Sequence, residues 1–293
     1  MGDRAAIAEL QSTLPPDVIV VEPATLENYR FDWSRDPRAG TPVAVVRPTN
    51  SEQVQTVMGW ASTHDTAVVP RGAGSGLSGG SSAVNDGIVL SLERMRAIEI
   101  DTVTRVAIVE PGAFNADVKA AAAAQGLWYP PDPSSYEICS IGGNIATNAG
   151  GLCCVKYGVT TDYVLGLDVV LADGTKITLG GKRIKDVAGL SLVKLFVGSE
   201  GTLGIVTRAI LRLVPLPLPP ATLVASFASV TDAAVAVVAV RRTLRPSMME
   251  LMDHASINAV EDFSPRGLDR TADRQWKGRL SGRPFFLPLA LRR

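Results

Sequence analysis

Residues 70–80 read Pro70-Arg71-Gly72-Ala73-Gly74-Ser75-Gly76-Leu77-Ser78-Gly79-Gly80. The chemistry open to such a run is the holding of an anion. Glycine admits positive φ and puts no Cβ in the way, so successive backbone N–H groups can turn into a concave nest. Ser75 and Ser78 add hydroxyl donors, and a pyrophosphate is the guest that suits the cradle. Positive φ is expected at Gly74 and Gly76. Residues 74–79 also satisfy G-x-G-x-x-G behind a strand, the fingerprint of a nicotinamide-dinucleotide turn. That fingerprint must open a helix whose N-terminus faces the pyrophosphate. Here Gly80-Ser81-Ser82 and Asn85-Asp86-Gly87 lead instead into the apolar run Ile88 to Leu92, so the nest has to work without a helix.

Other residue types capable of chemistry are sparse. The three cysteines, Cys139, Cys153 and Cys154, have no Cys-x-x-Cys spacing, and only two histidines could join them. Neither a disulfide framework nor a metal site is expected. The adjacent pair Cys153-Cys154 is open to redox chemistry, with small semi-apolar filler beside a glycine turn as the preferred reading. His64 and His254 read as structural. Lys plus Arg and Asp plus Glu both total 29, so no basic excess points to nucleic acid, and small molecules are the expected partners. The first 14 residues carry scattered charges, and the most apolar stretch, 223–240, is broken by Ser226, Ser229, Thr231 and Asp232. No transmembrane segment is expected, and the default location is the cytosol, with peripheral attachment to the inner membrane as its variant.

The elements that must position the nest follow from periodicity. Val43 to Arg47 reads as extended. A helix capped by Thr49, Asn50 or Ser51 follows, with Val54, Val57, Met58 and Ala61 on one face. Ala67 to Pro70 and Ile88 to Leu92 are strands on either side of the glycine run. Arg105 to Glu110 is a further strand, and Phe114 to Gln125 an Ala-rich helix stopped by Gly126. Residues 130–151, rich in Pro, Gly, Ser and Asn, predict a long irregular segment, and a loop of that length is usually functional. Leu165 to Leu171 and Thr175 to Leu179 form a hairpin about Asp173-Gly174, and Leu203 to Val214 is a strand region. The alternating Pro-Leu run 215–220 marks a boundary. Beyond it, a strand (Leu223 to Phe227) and a helix (Ala233 to Leu244, capped by Thr231 or Asp232) open a second α/β domain. Residues 264–293 carry eight Lys or Arg against two Asp, with three prolines and neither periodicity. They read as unfolded or foreign to what precedes them.

With the order of motifs laid out, the glycine run resembles the pyrophosphate signature of the vanillyl-alcohol oxidase / p-cresol methylhydroxylase (PCMH-type) flavoproteins. The match continues through Pro130-Pro131-Asp132-Pro133-Ser134-Ser135, through Ser140-Ile141-Gly142-Gly143-Asn144-Ile145-Ala146-Thr147-Asn148-Ala149-Gly150-Gly151, through Lys156-Tyr157-Gly158-Val159, and through Val197-Gly198-Ser199-Glu200-Gly201-Thr202-Leu203-Gly204-Ile205-Val206. These four motifs are similar to the D-lactate dehydrogenase / glycolate oxidase branch, over roughly residues 41–262.

The resemblance implies an α+β chain: a two-subdomain PCMH-type FAD-binding fold followed by a partial α/β, ferredoxin-like cap. The corresponding parts are an N-terminal segment (1–40), the FAD-binding domain (41–218), the start of the cap (219–262) and a divergent basic tail (263–293). It implies FAD as cofactor. The tight glycine turns at 141–143 and 148–151, with Ser140, Asn144, Thr147 and Asn148, suit the flavin's pyrimidine edge. Pro131 with Ser134 or Ser135 would lie against the flavin. Tyr157 and Gly158 belong to the same signature. Glu200, Gly201, Gly204, Ile205 and Val206 suit adenine and ribose. Neither the glycine run nor Pro131 to Ser135 holds a His or Cys, so the flavin is expected to be non-covalent.

The implied reaction is oxidation of a D-2-hydroxy acid of the D-lactate or glycolate type by hydride transfer to flavin N5. An electron acceptor or partner subunit is implied with it. In the family, the base, the acid-binding residues and a histidine-rich metal patch come from a large C-terminal half. The resemblance stops short of that half, so no catalytic residue is assigned. A catalytically incomplete FAD-binding polypeptide stands as the alternative.

Overall fold

The computed structural model describes residues 4–268, 270 and 274–280. In chain order the elements are α1 (Arg4–Thr13), β1 (Ile19–Val20), α2 (Pro23–Asn28), β2 (Ala44–Val46), α3 (Ser51–Thr63), β3 (Val68–Arg71), β4 (Ile88–Ser91), β5 (Ile98–Asp101), β6 (Val106–Val109), α4 (Asn115–Ala123), β7 (Leu127–Trp128), α5 (Ile141–Ala146) and α6 (Cys154–Tyr157). There follow β8 (Val164–Val170), β9 (Lys176–Gly180), α7 (Leu192–Phe196), β10 (Ile205–Arg212), β11 (Val214–Pro215), β12 (Ala221–Phe227), α8 (Val230–Thr243), β13 (Met248–Asp253), α9 (His254–Phe263) and β14 (Arg274–Leu280). They fall into two units. The first comprises residues 1–150 and 159–215, the second 151–158 and 216–293.

In the first unit, a four-stranded sheet has the order β1-β2-β4-β3, with β4 parallel to both β2 and β3. Side chains alternate across a strand, and here both faces are buried. Ala44, Val46, Ile88 and Leu90 face Leu10 of α1 and Val54, Val57 and Trp60 of α3. Val45 and Val89 face the opposite way, toward Leu26 and Ala83. This explains why β4 is a continuous apolar run rather than an alternating one. The α3 cap is Asn50, whose side chain accepts from Gln53 N at 2.9 Å. The Gln53 side chain in turn accepts from Thr49 N at 2.7 Å, tying down the start of the helix from both directions. The indole N–H of Trp60 reaches the carbonyl of Ala6 at 3.0 Å, so α1, for which the sequence reading had no role, is stapled into this core. The second sheet of the unit is five-stranded, fully antiparallel and ordered β5-β6-β10-β8-β9.

The second unit is a three-stranded antiparallel sheet ordered β12-β14-β13, with α8 connecting β12 to β13. Since β14 runs against both neighbours, β12 and β13 run in the same direction and form a split β-α-β unit. Helix α8 is capped by Ser229, whose hydroxyl accepts from Asp232 N at 3.1 Å, two residues before the nearer cap expected. The expectation of an unfolded tail is corrected for residues 274–280, which form the central strand. A strand with a neighbour on each side satisfies its backbone on both edges, which needs no apolar alternation and so left no signal in composition. The remainder of the expected tail beyond 280 lies outside the described residues. No helix among the described residues is long and apolar enough to cross a membrane.

Candidate functional site

The glycine run leaves β3 at Arg71, at the carboxyl edge of the parallel sheet, where open α/β sheets place ligands. It lines a cavity of about 380 Å³ built within the first unit, a size in the range of small-molecule sites. Gly74 has φ +68°, and a Cβ there would collide with the Arg71 guanidinium. A Cβ on Gly72 would collide with Ser140 Oγ. At Gly76 the expectation of positive φ is corrected. That residue has ordinary φ, and an added Cβ would lie 3.7 Å from Asp32 Oδ2, in plain van der Waals contact. The sharp turns of the loop fall at Gly74 and Gly79 (φ +80°) instead.

Ser140 is the joint between the loop and what lies across the cavity. Buried, it accepts from Ala73 N at 3.2 Å and, as cap of α5, from Gly143 N at 3.3 Å. Ile141, Gly142 and Gly143 are therefore helical, which corrects their reading as a tight turn. Gly142 is needed for close approach, since a Cβ there would stand 2.7 Å from Pro111 Cβ. The loop after α7 closes over the other end of α5: Gly198 N donates to the Ile145 carbonyl at 2.9 Å and Glu200 N to that of Ala146 at 2.8 Å. These are carbonyls that a helix C-terminus leaves without intrahelical partners.

Of the residues expected at the cofactor, the cavity brings together Pro70, Arg71, Gly72, Ala73, Gly74, Ser75, Gly76, Leu77, Ser78, Ser140, Gly142, Gly143, Asn144, Thr147, Glu200, Gly201, Gly204, Ile205 and Val206. Pro131, Ser134, Asn148 and Gly150 do not line it, although Pro133, Ser135 and Ala149 do. Asn148 uses its side-chain oxygen to accept from Thr161 N at 2.9 Å. Gly151, Tyr157 and Gly158 belong to the second unit. Asn144 lines the cavity with its side chain already engaged, accepting from Asn115 Nδ2 at 3.0 Å and donating to Cys139 Sγ at 3.2 Å.

Several lining residues escaped the sequence reading. Leu92 and Pro111 lie just beyond β4 and β6, and Leu92 was within reach of the rule that ligands sit past the carboxyl ends of parallel strands. Cys139 also lines the cavity, buried against Asn144. Asp32 had no sequence signal at all. It is 3% exposed and its Oδ1 accepts from Ser34 N at 2.9 Å, while its Oδ2 is buried without a hydrogen-bond partner. Its neighbour Trp33 donates its backbone N–H to the Gly74 carbonyl at 3.1 Å. Arg71 is half-buried. Burial pushes its pKa down and the attraction of Asp32 opposes this.

The charged side chains of the cavity are Arg71, Asp32 and Glu200, so side-chain charge gives it no positive excess. An anion held here must be held by backbone amides and hydroxyls, which is how a nest works. The arrangement fits an extended dinucleotide. Gly72 and Gly74 leave room that a Cβ would fill, Asp32 Oδ2 is an orphaned acceptor suited to a sugar hydroxyl, and Leu92, Pro111, Phe196, Ile205 and Val206 offer apolar wall to a ring system. Among the described residues no cluster of His, Cys, Asp and Glu could hold a metal ion. His64 closes α3, stacked on Trp60 with its Nε2 3.3 Å from Glu9. Nε2 of His254 is 3.2 Å from the Asn258 amide.

Comparison with known proteins bears on this geometry. A family model described as an FAD binding domain matches residues 42–180, and one described as the C-terminal domain of FAD linked oxidases matches residues 217–275. The glycolate oxidase subunit GlcD of Bacillus subtilis is 46% identical over 234 residues, 79% of this chain and 50% of the relative. The D-lactate dehydrogenase of Archaeoglobus fulgidus is 43% identical over 239 residues, 80% of this chain and 54% of the relative. The D-2-hydroxyglutarate dehydrogenase of Stutzerimonas stutzeri is 35% identical over 275 residues, 94% and 57% respectively. The chain thus spans about half the length of the curated relatives it matches. A solved alkyldihydroxyacetonephosphate synthase superposes with a TM-score of 0.82 over 95% of this chain and 56% of that one, at 22% identity, a likeness of fold.

Proposed function

This chain belongs to the FAD-linked oxidases of PCMH-type fold, with FAD as cofactor, and from that premise we propose that it supplies the flavin-holding part of an enzyme that oxidises a D-2-hydroxy acid. The observation that carries this reading is the glycine-lined cavity between the loop and α5. The relatives named for glycolate, D-lactate and D-2-hydroxyglutarate support the substrate class. When bound, FAD supplies the acceptor for the two electrons and hydrogen removed from the substrate carbon.

The chain's own residues bind and orient. Amides of Gly72, Gly74, Ser75 and Gly76 and the Ser75 and Ser78 hydroxyls would take the pyrophosphate, Ala73 N–H being held by Ser140. Asp32 Oδ2 would accept from a sugar hydroxyl. Gly201, Gly204, Ile205 and Val206 would wall the adenosine end, and Gly142, Gly143 and Thr147 with Pro133 and Ser135 the flavin end. Attachment is non-covalent, with Cys139 the one thiol in the cavity wall able to contradict that. A partner subunit, as the name of the B. subtilis relative suggests, and a separate electron acceptor complete the reading.

A second reading is that this chain holds FAD without turnover of its own. Positioning the substrate carbon against the flavin is worth about 7–11 kcal/mol of barrier, and no base is assigned among the residues above. Anaerobic stopped-flow mixing of the FAD-loaded chain with D-lactate, glycolate and D-2-hydroxyglutarate separates the two readings. Rapid bleaching by any one of them sinks the second, and absence of bleaching that a supplied partner subunit restores favours the first. Acid precipitation of the loaded chain should release the flavin. Flavin retained in the pellet of the chain, but released from Cys139→Ser, would show a thioether instead.

A further inference from the structure

Behind the glycine loop lies a second cavity of about 530 Å³, for which the proposed cofactor site has no use. The two cavities share Arg71, Gly72, Ala73 and Ser140 as common wall. The rest of the second one is contributed mainly by Tyr29, Arg47, Glu93, Arg96 and Phe114. Three arginines thus line it against one carboxylate, a formal charge of +2 among the lining side chains, and Arg71 also donates from Nη1 to the Ser81 carbonyl on the cofactor side at 3.2 Å.

The single carboxylate is already committed. Glu93 Oε1 accepts from the Tyr29 hydroxyl at 2.6 Å and lies 3.9 Å from Arg47 Nη1. Burial above all, then the hydrogen bond to Glu93, pushes the Tyr29 phenol up, so it stays a neutral donor. Arg47 Nε is buried with no hydrogen-bond partner, and a buried donor of that kind costs free energy until an acceptor arrives. Arg96 is held as a rim group. Its Nε donates to the Glu93 carbonyl at 2.5 Å and its guanidinium lies 4.7 Å from the Phe114 ring centroid. Arg71 lies 5.8 Å from the Tyr29 centroid. Stacked guanidinium planes are pre-set for bidentate pairing with planar or tetrahedral oxyanions.

We propose that this cavity is a binding site for a small dianion, held by the guanidinium groups of Arg47, Arg71 and Arg96. The shared chemistry is a doubly charged oxyanion compact enough to sit among three arginines, and two classes provide it: a phosphomonoester or a short dicarboxylate. Arg71 to Ala73 and Ser140 wall both cavities, so the two sites are neighbours that each hold a guest of their own.

Isothermal titration of the full chain with inorganic phosphate, and separately with glutarate, tests the site. At least one probe should saturate, and the one that binds more tightly identifies the class. Arg47→Gln and Arg96→Gln should each weaken it by about tenfold or more, the loss expected for one charge-assisted contact, while FAD retention stays at the wild-type level. Saturating FAD should leave the anion affinity within about twofold. Arg96 is on the exposed rim, so its variant keeps the test valid should Arg47→Gln fail to fold. The proposal is overturned if neither probe binds below about 10 mM, or if Arg96→Gln binds as well as wild type. It is equally overturned if FAD and the anion compete, because the cavity would then be an extension of the cofactor's own site.

Discussion

Ile88, Val89 and Leu90 on β4 in the first unit keep no exposed surface, whereas Leu223 and Val224 on β12 and Leu251 on β13 in the second keep roughly half of theirs. Among the described residues, the buried apolar side chains belong almost wholly to the first unit, and only Ala233, Pro246 and Ile257 come from the second. Both units use strands bracketed by helices, and their helix caps are equally well made: Asn50 for α3, Ser229 for α8 and Asp253 for α9 all accept from the expected backbone N–H. Good local structure is therefore not what separates them. The first unit closes two faces of a sheet over buried side chains, and the second, among its described side chains, rests on backbone pairing with little apolar burial behind it. Cofactor geometry accurate to a fraction of an ångström needs the first kind of support.

The largest effects should separate the two cores. Leu90→Ala should cost about 2–5 kcal/mol, the range for a fully buried leucine, while Leu251→Ala should stay within about 0.5 kcal/mol. Urea unfolding followed by far-ultraviolet circular dichroism measures both, and similar losses would erase the contrast drawn above. Next in size is the loop that the first core positions. Gly74→Val forces a branched residue into positive φ, at about 1–3 kcal/mol, and drives its Cβ into Arg71, so FAD affinity should fall by at least about tenfold. Gly76→Ala, in ordinary φ with room toward Asp32, should retain FAD far better. Fluorescence titration with FAD compares them, and equal retention would remove the nest from Gly74.

The smallest effects concern one carboxylate in each unit. In the first, Lys182 above all, with the Thr104 N–H, holds Asp101 well below the usual carboxylate range. In the second, the N–H of Leu268 above all, with that of Arg266, holds Glu261 below it, and burial opposes them. A depressed pKa in the fold means stability that is present above the unfolded value, near pH 4, and lost as pH falls through the folded one. Asp101→Asn and Glu261→Gln should each lower stability modestly at neutral pH, where the carboxylate's contribution is present, and flatten the acid limb below about pH 4. Thermal midpoints between pH 2 and pH 7 report it. An unchanged acid limb in Glu261→Gln would mean that residues 264–268 are not held to α9 as described.

What the sequence could reveal followed from how local each signal was. The strands about the glycine loop, α3 with its cap and the hairpin at Asp173-Gly174 rest on periodicity, capping and turn chemistry that neighbouring residues decide. Helix α5 was missed because Gly142 and Gly143 have poor helix propensity; what makes them helical is the Ser140 cap and the closeness of Pro111, a contact across the fold. Asp32 was missed because its place depends on pairing between the N-terminal segment and the loop some forty residues later. Strand β14 was missed because its partners supply backbone groups, which leave no mark on composition. Of the site, the cradle was legible and much of its lining was not.

The central position of β14 also governs when the second unit can form. Ala221 pairs with Leu280 and Phe227 with Arg274, and β12 and β13 meet only through that later strand. On the ribosome, β12 and α8 emerge well before the segment that joins them to β13. Until then β12 and β13 each present an open strand edge, and such edges invite pairing with other chains. Contacts so distant along the chain close slowly. In a nascent chain, folding of the first unit thus precedes that of the second, and the interval between them is when a chaperone or a neighbouring chain has its access.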